Sequence, residues 1–352
     1  MDWQRVDGLI DRSPGIAALR SHRLHLLAAS SWRARGIPLP PGLAAAERAA
    51  AVATMVSPLV LQRVREAYDG RIALFKGLAV ARHYPAPTSR PFGDLDLLVD
   101  DAPRAQAALL AAGFEEIGEP ELYRDIHHLR PLQAPGLPVP IELHHTVKWV
   151  GGAGASPPTH ELLAGGVDGV TGIDGILVLA PADHVVCLAA HAWAHEPMLR
   201  AGDLLDVLLV AGSADRALIL RRAQKWNIDG IVGATLRVAD ALYGCARTPL
   251  LLRALTRHLP ELRERTVFES HVTRVAAPLF EHQGAAGIGE AVRALLAAVR
   301  PSDGEPWREK VGRVAEALAR AGAPRREHEE LLGDRAHVGD PVWKRVRERD
   351  AR

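Results

Sequence analysis

The sequence predicts an α+β protein of α/β-like character: a small mixed sheet between an N-terminal helical cap and a C-terminal all-helical domain. Three observations predict it. Residues 17–32 and 44–67 are rich in Ala, Leu and Arg at helical spacing. Between 71 and 144, short apolar β-prone runs first alternate with helical segments and then follow one another. From Pro181 a helical pattern runs nearly to the end.

With 352 residues the chain has room for two or three domains and a sizeable core. Hydrophobic content of 48% and charged content of 24% are those of an ordinary soluble globular protein. The 43 basic and 42 acidic residues leave a net charge of +1, so bulk electrostatics gives no case for nucleic-acid binding. Two cysteines are too few for a disulfide framework or a zinc cluster; Cys187 and Cys245 fall in apolar helical patterns and are expected in the core. The N-terminus lacks a basic-then-apolar leader, and no uninterrupted apolar run reaches the roughly 18 residues of a membrane span. The expectation is a cytoplasmic protein with no membrane partner.

In chain order, residues 1–70 read as a helical cap without chemistry, its two helices separated by Pro38, Pro40 and Pro41. Residues 71–150 form the sheet domain, with strands at 72–75, 95–99, 114–117, 122–131 and 139–144 and helices at 78–84 and 103–112. Residues 151–180 comprise a Gly/Ala/Ser/Pro hinge and a small hairpin over 167–179. Residues 181–300 hold the helical domain, opened by Pro181 with Asp183 favourable to the helix dipole. Its further helices are expected at 199–210, 216–226, 231–242, 249–258, 261–275 and 287–299. Residues 301–352 are a charged helical tail, including Arg325 and Arg326.

Chemistry concentrates in Gly93-Asp94-Leu95-Asp96-Leu97-Leu98-Val99. On a strand Asp94 and Asp96 share one face, about 7 Å apart along the chain, while Leu95 and Leu97 share the other. Carboxylates so placed suit a divalent metal and the phosphates it carries; without partners they are merely a polar strand edge. Lys76-Gly77 follows a strand and opens a helix, offering a charge, a bare backbone and free N–H groups to an anion. Arg90 stands in the proline-stiffened loop before the acids, able to reach a triphosphate or to pair with Asp94. Glu142, between Ile141 and Leu143, is an acid in a sheet and needs a cation partner if buried. His144 shares its face and is a candidate phosphate ligand, orienting group or general base. His127 and His128 lie on a neighbouring predicted strand. His184, His191 and His195 form one helical stripe, facing the interdomain cleft or packed, with Asp206 a candidate partner for His191. The i, i+4 pair lacks the Glu and third ligand of a zinc site. Lys148-Trp149 offers a base-stacking surface or a half-buried tryptophan beside the hinge.

These motifs together resemble the polymerase-β-type nucleotidyltransferase superfamily. Leu74-Phe75-Lys76-Gly77-Leu78-Ala79, Tyr84, Arg90-Pro91, the Asp94–Asp96 strand and Ile141-Glu142-Leu143-His144 are similar to a largely uncharacterised bacterial nucleotidyltransferase family within it. Leu179 to His184, His191 and Asp203-Leu204-Leu205-Asp206 resemble that family's helical half. The resemblance covers residues 71–243. It implies that Asp94, Asp96 and Glu142 hold two Mg²⁺ ions for in-line nucleotidyl transfer from a nucleoside triphosphate, with pyrophosphate released. It places Gly77 beneath the triphosphate, with Lys76 and Arg90 as phosphate contacts. The chain departs from the family pattern in having Gly77-Leu78 where many members have Gly-Ser or Gly-Gly, in a longer gap from Gly77 to Asp94, and in Glu as the third acid. A small molecule or peptide is favoured over nucleic acid as acceptor. A catalytically silent binding or antitoxin module and a phosphotransferase are the alternatives.

Overall fold

The computed structural model describes residues 1–299, apart from 124, 125, 152, 169, 170, 245, 283 and 284, together with 308. Cys245 and the tail that includes Arg325 and Arg326 lie outside the described residues.

Six strands form one mixed sheet: β1 (Ile72–Leu74), β2 (Leu95–Val99), β3 (Glu115–Glu116), β4 (Leu132–Gln133), β5 (Ile141–His144) and β6 (Ile176–Val178), in the order β3-β4-β5-β2-β1-β6. The central strands β2 and β5 run parallel, β1 is antiparallel to β2 and parallel to β6, and β4 is antiparallel to β3 and β5. Period-two alternation assigns the faces. Leu95, Leu97, Ile141, Leu143, Ile72 and Leu74 turn into one apolar core. Ala73, Phe75 and Leu98 turn to the other face and join a larger core. Asp96, Glu142 and His144 therefore share that second face.

The helices are α1 (Trp3–Asp11), α2 (Ile16–Ser21), α3 (His25–Ala34), α4 (Pro41–Ala67), α5 (Leu78–Ala81), α6 (Ala102–Ala111), α7 (Thr159–Ala164), α8 (Pro181–His195), α9 (Ala201–Ala211), α10 (Arg216–Lys225), α11 (Asp229–Tyr243), α12 (Leu250–Leu255), α13 (Val267–Ala276), α14 (Pro278–Glu281) and α15 (Ala285–Val299). Local chemistry starts several of them. Asp101 accepts the Arg104 N–H at the head of α6, and Thr266 with Glu269 forms a capping box on α13. The 27-residue α4 begins with Pro at its first position and covers the sheet through Val60, Leu61 and Val64. Among the described residues α4 is also the one helix long and apolar enough, by length and composition alone, to cross a membrane.

Four local expectations are corrected. The helix over 17–32 is two helices, broken where Arg23 takes φ 58°. The strand over 122–131 is mostly lost: a 3₁₀ segment spans Pro120–Tyr123, pairing within 126–131 is limited to an isolated bridge between His128 and His144, and the continuous ladder starts at Leu132, after Pro131, which has no N–H to donate. The hairpin over 167–179 reduces to a single bridge, Val167 to Val178, because Ile176–Val178 is taken up as strand β6 beside β1. The helix over 78–84 lasts only four residues as α5.

Packing also crosses the expected boundaries. Val6, Leu9, Leu19 and Leu24 of the first helices share one core with Val185, Leu204, Leu205 and Val232 of α8, α9 and α11. The cap thus divides, α1–α3 onto the helical half and α4 onto the sheet.

Candidate active site

Register brings the acids together. Asp96 on β2 pairs in register with Glu142 on β5, and His144 lies two residues further along the same face. Asp94 sits half-buried in the bend that leads into β2. Asp96 is 2% exposed and His144 fully buried. His144 Nε2 stands 3.1 Å from Asp96 Oδ1 and 3.4 Å from Glu142 Oε2, and His128 Nε2 stands 3.6 Å from the same Glu142 oxygen. One ligand atom each from Asp96, Glu142 and His144 fall within 4.8 Å of one another. The rings of His127, His128 and His144 cluster around them, with centroids 4.9–5.2 Å apart.

Lys76 places its ammonium directly on Asp96 as an internal counter-ion. Burial alone would raise the Asp96 carboxyl, but Lys76 and His144 hold it well below the usual carboxylate range. Asp94 goes the other way: burial, reinforced by the charges of Asp96 and Glu142, pushes it up to about 7, against the opposing pull of Lys76 and Arg23. Burial would depress His144, yet its bonds to Asp96 and Glu142 raise it above the ordinary imidazole value. His127 is pushed down to about 2 by burial and then by its neighbouring imidazoles. A site that separates the proton affinities of adjacent carboxylates is one fitted for chemistry on charged groups.

Gly77 supplies the close approach. Its φ of 52° belongs to glycine, and a Cβ there would stand 3.0 Å from the Asp94 carbonyl oxygen. The turn after β1 therefore lies against the mouth of β2. The four-residue α5 adds little dipole of its own, since that field builds over several turns.

Arg90 departs from the expected phosphate contact. It is buried, with Nε 2.9 Å and Nη2 2.7 Å from the carboxylate of Asp206 and Nη1 donating to the Gly77 carbonyl at 3.1 Å. Tyr84 Oη donates to the same carboxylate at 2.7 Å. All three guanidinium nitrogens are engaged, so Arg90 ties the Gly77 turn to α9 from behind. His184 is likewise structural, its Nε2 bonded to the Phe75 carbonyl. The His195 side chain lies outside the described residues. Trp149 packs edge-on to Trp226, with centroids 6.5 Å apart. Lys148, its neighbour, is near enough to Lys76 and Glu142 to feel both charges. Sequence reasoning missed Arg23 at the site, because a residue in a break between helices carries no periodic signal.

The carboxylates of Asp96 and Glu142 and the imidazole of His144 form a donor set that would fit a divalent cation, with Asp94 at the entrance to the strand of Asp96, and the other nitrogen of that ring, Nδ1, is buried and makes no hydrogen bond. A family model described as an uncharacterised nucleotidyltransferase matches residues 10–244. No curated protein matches the chain.

Proposed function

The chain belongs to this nucleotidyltransferase family, and from that premise we propose that it is a Mg²⁺-dependent enzyme. It transfers a nucleoside monophosphate from a nucleoside triphosphate to an acceptor and releases pyrophosphate. The observation that supports this reading best is the register of Asp96 with Glu142, with Asp94 at the entrance to the same strand. Asp94, Asp96 and Glu142 are the residues that would hold two Mg²⁺ ions, which supply charge neutralisation at the attacking and leaving oxygens. His144 acts as a positioning residue: its Nε2 is held by both Asp96 and Glu142 and fixes the two carboxylates relative to each other. Gly77 lets backbone approach the reacting phosphates beside Asp94, and Arg90 holds that turn through the Gly77 carbonyl. The near-neutral charge of +1 favours a small-molecule or peptide acceptor over long nucleic acid.

The test uses each α-³²P-labelled nucleoside triphosphate with Mg²⁺ and a cell extract fractionated into small molecules, peptides and RNA. Label transfer with equimolar pyrophosphate is expected, falling by at least about 10³-fold in Asp94→Asn. Undiminished transfer in that variant would overturn the two-metal reading. Nucleoside diphosphate as product would instead identify a phosphotransferase.

A further inference from the structure

A recess of about 450 Å³ opens where the corner between α2 and α3, the middle of α4 and the approach to β2 meet. Its walls come from two separate apolar clusters. Leu26, Ala46 and Ala50 form a small one of their own between α3 and α4, and all three line the recess. Phe92 and Val139 line it from the edge of the core that holds Leu95, Leu97 and Ile141, on the side of the sheet away from Asp96, Glu142 and His144. The two clusters do not close on each other, whereas packed interiors leave few voids larger than a water molecule. A recess of this size, apolar with a few placed polar groups, has the ordinary form of a small-molecule site.

The charges at the recess have one sign. Arg20, Arg23 and Arg48 line it, and no carboxylate does. Arg48 is exposed, and Glu47 beside it turns to Arg33 instead. Arg20 gives one nitrogen to the Gly42 carbonyl at 3.0 Å. Arg23 is the more committed, 3.4 Å from Asp203 and within electrostatic reach of Asp94. His25 lines the same recess and has a buried Nδ1 without a hydrogen-bond partner. Burial, then Arg20 and Arg23, push its imidazole down to about 4, so at neutral pH it is an uncharged polar group. Cations gathered without an acid attract an anion, and guanidinium groups match carboxylate or phosphate oxygens in pairs.

One molecule with two parts satisfies both halves of this lining. An inorganic anion would leave the apolar walls in water, and a wholly apolar molecule would desolvate guanidinium groups without pairing them. Val52, at the rim, begins an exposed stripe on α4 that continues through Met55 and Leu59, so apolar surface extends outward from the recess along one helix face.

We propose that this recess is a second ligand site, separate from the acids of the sheet, for an amphipathic anion. Arg20 and Arg48 hold its carboxylate or phosphate ester, and its apolar body lies between the Leu26 cluster and Phe92 and runs out onto the α4 stripe. The inference does not rest on the nucleotidyl-transfer reading. The two sites are nonetheless close in the chain, since Gly93 alone separates Phe92 of the wall from Asp94.

Calorimetric titration tests it. Dodecanoate and dodecyl phosphate, each below its micelle-forming concentration, are titrated into the wild-type chain, Arg20→Ala/Arg48→Glu, Ala49→Trp and Glu142→Gln. Inorganic phosphate and dodecyltrimethylammonium serve as probes that lack the apolar body or the negative charge. Ala49 is exposed and lines the recess, so a Trp there fills the space with little disturbance to the fold, and melting curves establish that each variant is folded. Micromolar binding of at least one amphipathic anion is expected in the wild-type chain and in Glu142→Gln, and the tighter of the two tells carboxylate from phosphate. Binding is expected to be at least about tenfold weaker in the two recess variants and for both control probes. Unchanged affinity in the recess variants would overturn the proposal, as would equal affinity for either control probe. Loss of binding in Glu142→Gln would place the ligand at the acids and overturn it too. A wild-type chain that binds neither anion but sediments with phosphatidylglycerol vesicles would assign the face to a membrane surface, and one that binds nothing would leave the recess without a ligand; both overturn it.

Discussion

At the scale of single residues the two acids of the Asp94–Asp96 pair are not equivalent. Their spacing alone presented them as a matched pair on one face, and that much was legible because strand alternation is local. Their different environments were not, since those come from Lys76, Glu142 and His144 brought in by other strands. Replacing Asp94 with Asn removes one of three crowded acids, a carboxyl already pushed up to about 7. Its expected effect on stability is neutral or favourable, by about 1 kcal/mol. Replacing Asp96 with Asn strips the partner from Lys76, whose side chain is only 14% exposed, and is expected to cost roughly 3 kcal/mol. Urea denaturation of both variants checks the order, and equal losses would contradict the environments described. Arg90 illustrates the limit of sequence reading. Its partner Asp206 lies 116 residues away, a distance over which no spacing argument reaches.

At the scale of elements, the corner between α2 and α3 is held by a histidine that works only when neutral. His22 accepts the Ala201 N–H at Nδ1, 3.3 Å away, so Nε2 carries the proton and donates to the Arg263 carbonyl at 2.9 Å. Burial pushes it down from 6.5 to about 4. The folded value lies below the unfolded one, so the unfolded chain takes up the proton first. Stability from this contact is complete above about pH 6.5 and is lost as the pH falls toward 4, at up to about 1.4 kcal/mol per unit. His258, stacked on His22 with centroids 6.0 Å apart and also depressed by burial, adds to the same trend. The urea midpoint is expected to fall across that window, and His22→Gln to flatten the slope; an unchanged slope would refute the assignment. The helices meeting here were largely visible as periodic segments. Their break at Arg23 was not, because nothing in 17–32 resembles a turn signal.

At the scale of the whole molecule, the α+β class was legible from where helical and alternating periods change, at 71 and 181. The assembly was less so. Strand β6 has three residues and pairs with β1 across about a hundred intervening ones, and the first helices find their core on α8 and α9. Such associations depend on surfaces that exist only once the separate elements have formed. The three-way meeting of α2–α3, α4 and the β2 approach, where the arginines gather, belongs to this class: on their own helices Arg20 and Arg48 read as ordinary solvated charges.

Lys76 has a consequence for how the protein survives lean conditions. Proteins whose clustered ligands have no internal counter-ion depend on metal supply for folding itself. Here an ammonium built into the chain already sits on Asp96. Chelation by EDTA is therefore expected to leave the melting temperature unchanged, whereas in Lys76→Met the melting temperature should become dependent on added divalent ions. On the metal-dependent reading proposed above, scarcity of metal would idle the protein without emptying its pool, and resupply would restart molecules already made.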